Sequence, residues 1–179
     1  MRVRIWGFAC LLVCLGQPVL AECSDVAAPE VYWRRCFQDA RNLRDVDLSG
    51  AMLRDASFKR ADLSNANLTG ADARRAKFVS AVLHGARFDN ANLALADMTK
   101  AELQGASLRN ADLTRARMFR AILRGADLTG ARLDEADLLH ADFSEAVWID
   151  GATICAEGSI GQCNPSRVRR EVSGAEASG

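Results

Sequence analysis

The amino-acid sequence predicts an all-β solenoid, a chain wound as a coil around its own dry axis. Three observations predict it. From Ala51 to Ala146 every fifth residue is alanine, 20 in unbroken register. Two residues after each alanine comes an apolar side chain, beginning Leu53, Phe58, Leu63, Leu68, Ala73, Phe78 and ending Phe143, Trp148. Finally, a five-residue period suits neither regular element. On an α-helix each step of five turns the apolar stripe by about 140° and scatters it round the axis. On a straight strand an odd period throws successive units onto opposite faces. A chain that bends once every five residues instead keeps the small and the bulky side chains pointing to a common inside.

Length and composition agree with one domain. The chain has 179 residues, 49% of them hydrophobic, with Lys+Arg and Asp+Glu both at 23. The apolar content argues against a disordered chain, and the charge balance against a basic nucleic-acid binder.

The chain opens with Arg2 and Arg4, an apolar run from Ile5 to Leu15, and Val19-Leu20-Ala21. This is the order of a secretory signal peptide over residues 1–21, cleaved after Ala21. The run is short for a bilayer span, so no stable membrane span is expected after cleavage, and the destination is periplasmic or secreted. Leu20-Ala21-Glu22-Cys23 shares its first two positions with a lipobox, but Glu22 stands where that motif needs a small residue.

Cleavage would leave Cys23, Cys36, Cys155 and Cys163, an even number for an oxidising compartment. Two disulfides are expected. Four cysteines permit three pairings, and proximity favours Cys23 with Cys36 and Cys155 with Cys163. A four-cysteine zinc site would need closer CxxC pairs, which are absent.

The central repeat explains its own residue types. A Leu or Phe fills the interior, whereas a second large side chain at the alanine would overpack the coil. The units Ala61-Asp62-Leu63-Ser64-Asn65, Ala66-Asn67-Leu68-Thr69-Gly70 and Ala126-Asp127-Leu128-Thr129-Gly130 resemble the pentapeptide-repeat family, A(D/N)LXX, and the match covers about residues 41 to 150. The resemblance implies a right-handed quadrilateral parallel β-helix with four pentapeptides per coil. Residues 46 to 150 would then make about five coils, a rod about 25 Å long.

The expected domain order is a signal peptide (1–21), an N-terminal cap (22–42), the repeat β-helix (43–150), a cysteine-bounded C-terminal cap (151–164) and a disordered tail (165–179). Caps are needed because a solenoid exposes open edges at both ends. Trp148-Ile149-Asp150-Gly151 and the following Cys155 to Cys163 segment resemble the closing loop of exported bacterial members of the same family. Beyond Asn164 the apolar periodicity stops.

If four units make a coil, residues twenty apart stack in columns. One face then gathers Lys59, Arg60, Lys77, Lys100, Arg117 and Arg120 against Asp97 and Asp137, with Val79, Phe119 and Leu139 in one outward column. The next face carries Asp62, Glu102, Asp142 and Glu145 against Arg124. The basic face is the candidate interaction surface, acting through charge steering and apolar contact.

No catalytic, cofactor or metal site is expected. His84 and His140 fall on different faces, and no nucleophile or metal cluster converges on either. The recurrent Asp after alanine reads as a turn-bonding residue and the recurrent Gly at the fifth position as a corner. The sequence thus points to a non-enzymatic exported scaffold or protein-interaction module of the bacterial envelope, with a protein partner and with homodimerisation left open. The alternative implied by the family is a DNA mimic that inhibits DNA gyrase. Against it stand the expected signal peptide and the 16 basic and 16 acidic residues of positions 41–150. Ice binding fails because Ser49, Thr69, Asp89, Arg109 and Thr129 break up their own column.

Overall fold

The computed structural model describes residues 23–168. The expected signal segment and residues 169–179 of the expected tail lie outside the described residues. From Val31 to Asp150 the chain is a right-handed quadrilateral parallel β-helix. Its parallel bridges all join residues twenty apart, as in Lys77 with Asp97 and Asp97 with Arg117, so four pentapeptides complete each coil. We number the positions of each pentapeptide 1 to 5 from the alanine. The first face holds the units starting at 31, 51 and so on, the second those from 36, the third those from 41 and the fourth those from 46.

Each unit is one short rung followed by one turn. Between coils, Leu83 N–H donates to Glu102 C=O at 2.7 Å, Gly85 N–H to Gln104 C=O at 3.0 Å, and Val82 N–H to Ala61 C=O at 3.0 Å. The turn closes when Ala86 N–H donates to Leu83 C=O at 3.1 Å. To make each corner, position 5 adopts a left-handed backbone in every unit from Glu30 to Glu145, with φ between 54° and 70°. That conformation is a genuine outlier for β-branched side chains. None of them stands at position 5, while Thr69, Thr99, Thr114 and Thr129 all occupy position 4. At the end of the last coil the positive φ moves one residue along, from Asp150 to Gly151, where the chain leaves the helix.

The alanines at position 1 and the bulky residues at position 3 form a single continuous core. Ala73, the undersized inner residue, shares its layer with Phe78 and Phe88, and no other coil contains two inner phenylalanines. The ring of Phe78 stacks on Phe58 at 5.2 Å and meets Phe88 edge-on at 5.8 Å. Volume is thereby conserved within the layer, which is what a close-packed interior requires.

Position 2 supplies the turn chemistry. Its Asp or Asn side chain accepts the position 4 N–H, as Asp47 does from Ser49 at 2.9 Å, Asp62 from Ser64 at 3.0 Å and Asp127 from Thr129 at 2.9 Å. The Ser64 hydroxyl and then its amide hold the Asp62 carboxyl below the usual carboxylate range, despite its burial. Burial works to raise Asp142 and Asp127, yet both are also lowered, by the hydroxyls and amides of Ser144 and Thr129 and by Arg124 and Arg109. A carboxyl depressed in the folded state stabilises it above the unfolded pKa, and that contribution is lost as pH falls through the folded value. The melting temperature should therefore stay level from pH 7 to about 5 and decline below about pH 4. A midpoint that rose on acidification would contradict this role for the position 2 carboxylates.

Two boundaries differ from the sequence-based expectation. The coil begins at Val31 and not at 43, because Tyr32 already bridges Met52 and Phe37 bridges Ser57. Val31, Cys36 and Arg41 stand where alanines stand later, and Trp33 and Gln38 where Leu or Phe do, so the register continues while its composition changes. The rod accordingly has six coils instead of five and is about 29 Å long. Its base is closed by residues 23–30. Cys23 is disulfide-bonded to the buried Cys36, Gln38 Nε2 donates to Cys23 C=O at 3.2 Å, and Arg41 donates to Gln38 Oε1.

At the other end the chain doubles back. Strand β1 (Thr153–Cys155) lies antiparallel on Val147, and Ile160 bridges Asp142, so the returning segment covers the third and fourth faces. The Cys155–Cys163 disulfide then turns the chain into β2 (Pro165–Val168), which pairs antiparallel with β1. Order thus extends past the expected boundary at 164, fixed by this pairing and by Ser166 Oγ donating to Ile154 C=O at 2.8 Å. On the first and second faces of the last coil, Leu133 and Leu138 are only half-buried.

Candidate interaction surface

Outward residues sit at positions 2, 4 and 5, and the twenty-residue bridges stack them into columns. On the second face, position 2 runs Phe37, Ser57, Lys77, Asp97, Arg117, Asp137, position 4 runs Asp39, Lys59, Val79, Thr99, Phe119, Leu139, and position 5 runs Ala40, Arg60, Ser80, Lys100, Arg120, His140. All nine candidate residues, Lys59, Arg60, Lys77, Val79, Lys100, Arg117, Phe119, Arg120 and Leu139, therefore lie on one face. The chain's three lysines are all among them.

Ion pairing separates this face from the rest. Elsewhere, beyond the first coil, the arginines answer carboxylates: Arg75 grips Asp55 at 2.7 and 3.0 Å, Arg115 grips Glu135 at 2.8 and 3.2 Å, and Arg109 reaches Asp127 at 3.0 Å. On the second face only Arg117 has such a partner, Asp97 at 3.4 Å. Among the described residues no carboxylate lies within ion-pair distance of Lys59, Arg60, Lys77, Lys100 or Arg120. Five exposed cations with no internal counterion set up an attractive field for an anionic surface.

The apolar candidates Phe119 and Leu139 stand at the C-terminal end of the face. The Phe119 ring meets His140 edge-on at 5.8 Å, and the Arg120 guanidinium lies over it at 5.2 Å. This cation–π contact holds Phe119 half-buried, and Leu139 beside it is 58% exposed. Val79, two coils away in the same column, is half-buried. The sequence reading left out Phe37, which heads the position 2 column and is 79% exposed. Its signal was the stacking rule itself, hidden because residues 22–42 were read as cap.

Among the described residues chemistry converges nowhere else. His84, on the third face, contacts Glu102 at 3.0 Å, far from His140 on the second. Among the described residues no group of three or more His, Cys, Asp or Glu is placed to hold a metal ion, and no helix is long and apolar enough to cross a membrane.

A family described as "Pentapeptide repeats (8 copies)" matches residues 42–78, 76–115 and 111–147. Among solved structures, the chain is similar to HetL, a pentapeptide repeat protein involved in heterocyst differentiation regulation from the cyanobacterium Nostoc sp. strain PCC 7120. The identity is 36% over 69% of this chain and 58% of that one, with a TM-score of 0.68. It is also similar to Rfr23 from the cyanobacterium Cyanothece 51142, at 30% identity over 65% of this chain and 90% of that one, with a TM-score of 0.53. The chain thus spans little more than half the length of HetL. Comparison with curated proteins yields no match.

Proposed function

The chain belongs to the pentapeptide-repeat family, and from that premise we propose that it is a non-enzymatic exported scaffold of the bacterial envelope, holding a protein partner on its second face. The observation that carries this reading is the set of five unpaired cations on the face that also presents Phe119 and Leu139, on a rod whose other arginines largely neutralise themselves. A solid core leaves the outward columns as the working surface, and rigid ladders fix the spacing of what they present. The sequence-based signal peptide and the two disulfides support an oxidising compartment.

Crosslinking in the native envelope followed by mass spectrometry is the test. Phe119→Ala combined with Arg117→Glu and Arg120→Glu should abolish the captured partner while leaving the circular-dichroism spectrum intact. Capture that survived would remove this face from consideration. The DNA-mimic alternative has its own assay: inhibition of gyrase supercoiling by the purified chain would favour it. The balanced charge of the repeat region argues for no inhibition.

A further inference from the structure

We propose that the N-terminal corner of the rod, where the first and second faces meet, is a peripheral docking site for an anionic lipid surface. This corner is separate from the Phe119 end of the interaction surface. It lies in the first two coils and carries three outward apolar side chains at position 2: Tyr32, Phe37 and Met52, exposed by 42%, 79% and 44%. Arg35, at φ 60°, turns the chain between Tyr32 and Phe37. Apolar side chains standing this far into solvent, grouped at one place, mark a contact surface.

Apart from two carboxylates bonded within the rod, the charges around them are positive. Arg34 donates to the Tyr32 hydroxyl at 2.9 Å and lies over its ring at 5.8 Å, so it is tied to the apolar group. Among the described residues Arg34 and Arg35 at the corner, and Lys59 on the adjoining second face, have no carboxylate at ion-pair distance. The two acids of the corner are already engaged. Asp39 accepts from Ser57 Oγ at 2.6 Å and from Lys59 N–H at 2.9 Å, and Asp55 is held by both arms of Arg75.

Shape decides between a lipid surface and a protein. The corner is convex, formed where two flat ladders meet at a turn, whereas a stable protein complex needs a complementary surface of roughly 800 Å² per side. A fluid headgroup layer has no such requirement, since it deforms around protruding side chains. Phe, Tyr and Met can enter the boundary between headgroups and acyl chains while the long Arg and Lys stems keep their charges at the anionic phosphates. Anchored there, the rod leaves the Phe119 end of its second face free.

The purified chain can be floated with vesicles of phosphatidylcholine alone or mixed with phosphatidylglycerol. Binding is expected to the anionic vesicles only, weakening with added salt. It should fall by at least about tenfold in Arg34→Glu/Arg35→Glu and in Phe37→Ser/Met52→Ser, but not in Phe119→Ser. The mature chain from Glu22 is used, so the apolar run of the expected signal segment does not contribute to binding. Circular dichroism confirms that each variant keeps the fold. In Phe37→Trp, emission should shift to the blue on anionic vesicles and be quenched by brominated lipid. Equal binding to neutral and anionic vesicles, unchanged binding by both corner variants, or no binding at all would overturn the proposal. So would self-association abolished by Phe37→Ser in the absence of vesicle binding, which would assign the corner to a second copy.

Discussion

Phe78→Ala is expected to destabilise the protein by about 3 to 5 kcal/mol, the range for removing a fully buried phenylalanine from a core that cannot collapse. The site gives unusually little room for relaxation. Phe78 is fully buried between Phe58 and Phe88, and its layer already contains Ala73. The variant would set two alanines in one coil, and the ladders above and below fix the backbone spacing so that the walls cannot close in. Urea unfolding followed by circular dichroism measures the loss. A change under about 1 kcal/mol would mean that the ring is not part of a close-packed interior. Ala73→Leu offers the converse check, because a layer filled by two phenylalanines has no space for a third large side chain and should also lose stability.

The second large effect is at the base of the rod. Cys23→Ala/Cys36→Ala should cost about 2 to 4 kcal/mol, in the range for a short disulfide loop. Alanine is the residue that position 1 carries in the later coils, so the buried Cys36 site tolerates it and the measurement reads the loss of the tether. Loss of the tether also frees Cys23, whose carbonyl accepts from the fully buried Gln38. A buried amide deprived of its partner adds to the penalty. Hydrogen exchange should show faster opening in the first coil than in the central ones, because a solenoid loses order from its ends. Uniform protection across all coils would contradict that local role.

How much of this was legible in the sequence depended on whether one residue type repeated. The twenty alanines betray the coil at once, because only a chain bent every five residues can bury them. The first coil was hidden for the same reason: Val31, Cys36 and Arg41 keep the spacing without the alanine, and Gln38 keeps the inner position without being apolar. Composition masked a geometry that continued unchanged. The left-handed corners were legible only where glycine occupies them. Leu95, Arg115 and His140 adopt the same backbone, and the sequence shows this only negatively, in the exclusion of β-branched residues from position 5.

The candidate surface followed directly from the twenty-residue stacking, which brings Lys59, Lys77, Lys100 and Phe119 onto one face though they are far apart in the chain. Which cations are free did not follow, since pairing depends on side chains of neighbouring coils. Arg75 and Arg115 look as basic as Arg120 in the sequence, but stacked carboxylates take them up. The closing strand β2 was missed because its four residues have no apolar pattern. They are ordered by the antiparallel return of β1, a long-range pairing that composition does not encode.

The central claim is that residues twenty apart are neighbours, and a designed crosslink tests it most directly. Thr99 and Phe119 occupy the same column on adjacent coils, where stacked chains lie about 4.8 Å apart, close enough for a disulfide between cysteines placed there. Thr99 and Arg109 are nearer in sequence but sit on opposite faces. Thr99→Cys/Phe119→Cys should oxidise to an intramolecular crosslink in the folded protein, and Thr99→Cys/Arg109→Cys should not. A crosslink between 99 and 109, or its absence between 99 and 119, would contradict the four-unit coil.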